Sequence, residues 1–180
     1  MSTATRALRR RERALHHAAA MNDSRAFLRH ALATLAYRGS KAVRGAPASF
    51  ASFRASPTTR TPAEILAHIG DLLDWARWLA RGERGGKTSD PLPWDQEVAR
   101  FHAELAALDA TLASDAPLGC PAERLFQGPI ADAHTHVGQL TLLRRIAGAP
   151  VRGENYFRAG IEVGRVGPEQ AAPDPKDEFD

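Results

Sequence analysis

Three polar side chains fall on the apolar faces of two predicted helices. His68 lies three residues after Ile65 and four before Leu72, so it shares one helical stripe with them. Asp132 and His136 are four residues apart, a spacing that places two side chains one above the other on a helix. Two imidazoles and a carboxylate form a three-ligand set for zinc, nickel or ferrous iron, and they leave coordination positions open for water or substrate.

The same three residues also have simpler interpretations. A histidine on an apolar face is usually a core residue whose ring nitrogens are hydrogen-bonded. A carboxylate near the start of a helix is stabilised by the helix dipole, and Asp132 can pair with His68 or His136 without any metal. Burying a polar or charged group without a partner is unfavourable, so every interpretation requires partners. Residue chemistry alone leaves the choice between a metal and a His–Asp pair open.

Four amphipathic helices are predicted to position these residues. The second has the clearest start, because Thr61-Pro62-Ala63-Glu64 combines a capping box with proline at the first helical position. Glycine and proline separate the helical segments, and four helices of this length favour an all-α four-helix bundle. The predicted helices cover about 24–44, 61–81, 94–112 and 128–148.

The composition fits one domain of an ordinary globular protein, with 180 residues of which 43% are hydrophobic and 25% charged. The single cysteine, Cys120, excludes an internal disulfide, and we interpret it as a packing residue. No run of about 18 apolar residues is present, and residues 1–20 lack the apolar segment of a signal peptide. We therefore expect a cytoplasmic protein that does not enter a membrane.

The positive charge of the chain is concentrated at its N-terminus. Residues 1–20 contain five arginines and one glutamate, a net charge of +4, whereas the whole chain carries +3. The remaining residues therefore carry the difference, −1, and offer no basic face for nucleic acid. Two interpretations of the basic segment stay open: an upstream extension before a true start at Met21, and a short arm that binds an anionic partner.

These features predict three parts of the chain. Residues 1–22 are predicted to be a basic extension that is disordered or not native. Residues 23–165 are predicted to form the helical domain. Residues 166–180 are rich in proline and acidic residues, and we expect them to be disordered.

A resemblance to a known family strengthens the metal hypothesis. The segment Asp132-Ala133-His134-Thr135-His136-Val137-Gly138-Gln139 resembles the last-helix motif of the DinB-like family, in which a ligand precedes a His-x-Gly-Gln element by four residues. Glu64-Ile65-Leu66-Ala67-His68-Ile69 resembles the other metal-bearing stretch of that family. The resemblance covers roughly residues 23–150. It departs from the commonest family pattern at Asp132, where many members have histidine.

The resemblance implies an antiparallel four-helix bundle of DinB-like type, often dimeric, with a divalent metal held by three side chains. Carried over by position, the ligands are His68, Asp132 and His136. Gln139 has two interpretations: it hydrogen-bonds near the metal without binding it, or it serves only helix packing. The resemblance also implies two partners, a second copy of the chain and a small-molecule substrate.

The functional expectation is a metal-dependent hydrolase or thiol-dependent transferase of unknown substrate. The alternative is a non-catalytic dimeric binding or stress-response protein with a structural metal or none. No general base stands out beyond the ligand set, because Glu64 is explained as a helix cap and Asp71 is predicted to point off the apolar stripe. His134 is expected to face outward or toward a partner subunit. The other histidines are interpreted as surface or packing residues: His16, His17, His30 and His102.

Overall fold

The structure is a computed structural model that describes the backbone of residues 3–180 and the side chains of residues 23–180. It is all-α apart from one small sheet of two short strands. The helices are α1 (Thr3–Val43), α2 (Pro62–Ala80), α3 (Trp94–Ala113), α4 (Ala122–Leu125) and α5 (Ala131–Ile146), and the strands are β1 (Gly153–Glu154) and β2 (Glu178–Phe179).

The first helix begins at Thr3 and not near Ser24 as the sequence predicts. The preceding segment is rich in alanine, leucine and arginine, which are strong helix formers, and it contains no glycine or proline. Capping side chains at Asp23 and Ser24 therefore do not start the helix. The backbone from residue 3 onward is thus helical where the sequence suggested disorder, whereas the choice of Met1 or Met21 as the native start stays a prediction.

The four long helices α1, α2, α3 and α5 contribute side chains to one hydrophobic core. Helical spacing predicts Phe27 and Ile146 to lie on apolar faces as well, but Phe27 is 56% exposed and Ile146 is 54% exposed. Fully buried members from each helix include Leu32, Leu35, Leu73, Phe101, Leu105 and Leu140.

Gly39 allows α1 and α3 to approach closely. A Cβ atom at this position would lie 2.5 Å from Cζ of Phe101. Glycine lowers helix propensity, but here it makes room for a buried aromatic ring and the helix continues through it to Val43.

The second helix begins as the sequence predicts. The backbone N–H of Glu64 donates to Oγ1 of Thr61 at 3.2 Å, and the backbone N–H of Thr61 donates to Oε2 of Glu64 at 2.7 Å. The capping box and Pro62 at the first turn are both present. Glu64 is thus occupied as a cap, as expected.

The approach to α5 differs from the prediction. The helix was expected to open at Gly128-Pro129, but α4 and a π-helical turn (Phe126–Ile130) lead directly into it. Gly128 has φ −89° and ψ −106°, outside the helical region, and Pro129 has no N–H to donate. π-turns of this kind recur near functional sites, and this one ends two residues before Asp132.

The C-terminal residues are held against the helices, contrary to the expected disorder of 166–180. β1 and β2 pair antiparallel, with Gly153 opposite Phe179. The buried carboxylate of Glu154 accepts from the hydroxyl of Tyr37 at 2.6 Å and from Nζ of Lys41 at 2.8 Å. Lys41 also bonds Glu178 at 2.9 Å. These long-range pairs hold in place a segment whose composition alone predicts no ordered structure.

Among the residues that the structure describes, no helix combines the length and the apolar character needed to cross a bilayer.

Removing the cap of α2 should destabilise the protein. Thr61→Ala deletes the side-chain acceptor of the Glu64 N–H, and we expect the free energy of unfolding to fall by about 1 kcal/mol. Urea unfolding followed by circular dichroism measures the change. Ser52→Ala, at an exposed position in the preceding loop, is the control and should have no effect. An unchanged midpoint in Thr61→Ala would contradict the role of the cap.

His102 should make stability sensitive to acid. Its ring is buried on α3 with Nδ1 3.3 Å from the Val166 carbonyl oxygen, and burial lowers the pKa of His102 below 6.5. Because the unfolded chain takes up a proton first, stability is present above pH 6.5 and is lost as the pH falls below it. Thermal melts between pH 7.5 and 5.5 should show a weaker pH dependence for His102→Gln than for the parent. His30→Gln, at an exposed site on α1, should behave like the parent; equal pH dependence in all three proteins would refute this.

Candidate metal centre

The three residues singled out in the sequence come together in space. Nε2 of His68, on α2, lies 3.8 Å from Oδ2 of Asp132, and Nε2 of His136 lies 3.4 Å from Oδ1 of Asp132. The two imidazole rings are 4.8 Å apart and nearly perpendicular, at 84°. One nitrogen or oxygen from each of the three residues lies within 4.8 Å of the others.

These separations are longer than typical direct hydrogen bonds, and they can be compared with the spacing of ligands around one cation. Nitrogen–oxygen hydrogen bonds span about 2.7–3.2 Å, so 3.4 and 3.8 Å are too long for either histidine to be bonded to Asp132. Ligands about 2.1 Å from a tetrahedral zinc ion lie about 3.4 Å from one another. The 3.4 Å between His136 and Asp132 matches that spacing, whereas the 3.8 Å between His68 and Asp132 and the 4.8 Å limit of the cluster exceed it.

The cluster lies at the edge of the helical core and not inside it. The side chain of His68 is 31% exposed, that of Asp132 is 47% exposed and that of His136 is 11% exposed. The expectation that all three point into the interior is therefore wrong for Asp132 and only partly right for His68. Because Asp132 remains in contact with solvent, the cost of burying a carboxylate does not by itself require a partner.

A hydrogen bond orients the imidazole of His136. Nδ1 of His136 lies 2.8 Å from Oε1 of Gln139, one turn further along α5. With Nδ1–H donating to this amide oxygen, the lone pair of the neutral ring is on Nε2, the nitrogen that faces Asp132. This hydrogen bond leaves Nε2 of His136 as the nitrogen with a free lone pair, which is the tautomer that a metal ligand requires.

The surroundings of His68 disfavour its protonated form. Partial burial lowers the pKa of this imidazole below 6.5, and the nearby His136 and the charge of Arg60 lower it further, against the opposing carboxylates of Asp132 and Asp71. A neutral imidazole is the form that coordinates metals.

His134 lies outside the cluster. It was expected to face outward or toward a partner, but it is half-buried, with Nδ1 2.9 Å from the Ile130 carbonyl oxygen. Burial lowers the pKa of His134 as well. The ring of His134 is hydrogen-bonded to the preceding helical turn, whereas the ring of His136 is bonded to Gln139 and faces Asp132.

Asp71, which the sequence predicts to point off the apolar stripe, is a buried structural residue. Its carboxylate is buried and accepts from the backbone N–H of Ser89 at 2.7 Å, from the Ser89 hydroxyl at 2.8 Å and from Arg100. Burial alone raises the pKa of Asp71, but these hydrogen bonds outweigh it and the net pKa is lowered. Asp71 thereby fastens the loop 82–93 to α2 and α3.

Two clefts meet at His68. The first has a volume of about 410 Å³ and includes Arg54, Arg60 and Ser89 in its walls. The second, about 440 Å³, includes Trp75 and Lys87. Both are bounded by His68, Asp71 and Thr88. Sequence reasoning assigned 45–60 and 82–93 only as loops, since nothing local indicates that they enclose the same space beside α2.

Comparison with known proteins identified no relative of this chain. The chain matches no protein-family model, no curated protein and no solved structure. The resemblance to the DinB-like family therefore remains a prediction that depends on the residues of α2 and α5, and the geometry of the cluster stands on its own.

Proposed function

We propose that the protein binds one divalent metal ion through His68, Asp132 and His136 and is a metal-dependent hydrolase or thiol-dependent transferase. The observation that carries the proposal is the convergence of three ligand atoms, from two helices, within 4.8 Å. We further propose that the four long helices form an antiparallel bundle of DinB-like type, since bundles commonly build metal sites from facing helices.

The donor set fits a catalytic metal. Two neutral imidazoles and one carboxylate provide three ligands, and catalytic zinc sites typically use three protein ligands and keep a further position open. The His136 ring is oriented by Gln139 in the way that metal-binding histidines usually are. Zinc, nickel and ferrous iron all accept this donor set.

Access to the site also favours chemistry over a purely structural role. The exposed side of Asp132 and the two clefts at His68 give small molecules a path to the cluster. A divalent cation at such a site lowers the pKa of a bound water or thiol and so supplies a nucleophile near neutral pH. The protein side chains hold the ligands in place, and the clefts orient the substrate.

Metal binding should require His136. We expect the parent protein, stripped with chelator and dialysed against zinc, to hold one equivalent by elemental analysis, and His136→Ala to hold none. A saturating ion at about 100 times its dissociation constant should stabilise the parent by about 2.7 kcal/mol. His134→Ala, two residues away and outside the cluster, is the matched control and should bind like the parent.

Equal zinc content in the parent and in His136→Ala would overturn the proposed site. Zinc bound in the parent without turnover of ester or thiol substrates would leave the site standing and remove the catalytic part of the proposal.

Gln139 should tune the affinity for the metal without providing a ligand. Gln139→Ala removes the acceptor for Nδ1–H of His136, and we expect zinc affinity to fall about tenfold. Gln139→Glu keeps an acceptor oxygen and should retain the parental affinity or exceed it. Competition with a chromophoric chelator measures both constants, and an unchanged affinity in Gln139→Ala would contradict this role.

A further inference from the structure

The charged side chains around the first cleft differ in whether they have hydrogen-bond partners. Arg54 donates to the Thr59 carbonyl oxygen and, at 2.9 Å, to Oε1 of Glu64. The other oxygen of Glu64 is bonded to the backbone of the α2 cap. This guanidinium and this carboxylate therefore neutralise each other and offer little to a ligand.

The carboxylate of Asp71 is likewise occupied. Ser89 and Arg100 together donate three hydrogen bonds to its two oxygens. The negative charge of Asp71 is compensated by Arg100, which lies behind the wall of the cleft and is mostly buried. A ligand in the cleft meets a neutral pair at this point as well.

Arg60 is the exception on the cationic side. Within residues 23–180 its exposed guanidinium makes no hydrogen bond or ion pair, although it lines the cleft. It is close enough to His68 for its charge to act on that imidazole. Asp90 is the corresponding unpaired carboxylate in the same wall.

A metal ion would shift this balance toward positive charge. A divalent cation exceeds the single negative charge of Asp132, and the two imidazoles are neutral ligands. With the excess charge of the ion and Arg60 on one side and Asp90 on the other, the loaded cleft carries a net positive charge. A planar guanidinium with all its donors free is suited to a carboxylate, which it can bind with two parallel hydrogen bonds.

We propose that the substrate is a small carboxylic acid whose carboxylate pairs with Arg60 while its reacting group reaches the site of His68, Asp132 and His136. This inference rests on the proposed function, because it requires a metal at those three residues. The cleft volume of about 410 Å³ suits a small molecule. Recognition by Arg60 selects acids over neutral analogues of the same length.

Paired probes separate the carboxylate contribution from that of the metal. Thiolates bind zinc strongly, so 3-mercaptopropionate and 4-mercaptobutyrate are compared by calorimetry with the mercapto-alcohols of equal chain length on the zinc-loaded protein. Of the two acids, we expect the one whose chain length fits the cleft better to bind about tenfold more tightly than the mercapto-alcohol of the same length. This difference is in line with one charged hydrogen-bonded pair at a partly exposed site.

Two variants test whether Arg60 causes the preference for the acid over the alcohol. In zinc-loaded Arg60→Gln the acid should lose this advantage while the alcohol binds as before. Arg84→Gln removes an exposed cation of the loop 82–93 that lines neither cleft, and it should keep the parental preference. Zinc content, measured in each protein, should be unaffected by both substitutions.

The outcomes are distinct. Failure of the parent to bind zinc overturns the proposed function and this inference with it. Zinc binding with equal affinity for acid and alcohol, or a preference that persists in Arg60→Gln, overturns the inference alone.

Discussion

The candidate site depends on how α2 packs against α5. Each helix carries its polar residues beside apolar ones that are buried in the common core, such as Ile69 on α2 and Ala133 and Val137 on α5. Burial of these neighbours fixes the rotation of both helices, and that rotation brings His68 to the pair on α5. A small rotation of either helix would separate the three ligand atoms, so hydrophobic packing is what sets the distances at the cluster.

The walls around the cluster are held by polar interactions instead. Asp71 and Arg100 tie the loop 82–93 to two helices, and the cap of α2 uses Glu64 and Arg54 on the opposite side. These bonds consume most of the charged groups near His68. Within residues 23–180, Arg60 and Asp90 line the first cleft without a hydrogen bond or ion pair, and the proposed carboxylate recognition depends on Arg60.

The C-terminal segment supports α1 at a distance from the site. Glu154 joins Tyr37 and Lys41, and Lys41 in turn joins Glu178. A buried carboxylate is stable here because a hydroxyl and an ammonium both donate to it. The same ion pairs align β1 with β2, so a segment rich in proline and acidic residues is held in place by a few long-range bonds and not by a core of its own.

The sequence by itself determined the helices and the grouping of their residues. Capping at Thr61 and the 3.6-residue period are local properties, and they predicted α2, α3 and the placement of His68, Asp132 and His136 on apolar helix faces. Only the tertiary structure decided that the cluster lies at the edge of the core, that Asp71 is bonded to Ser89, and that residues 166–180 pack on α1. Exposure and hydrogen bonding at these positions depend on segments far apart in the chain, and helical periodicity contains no information about which loop will cover a given face.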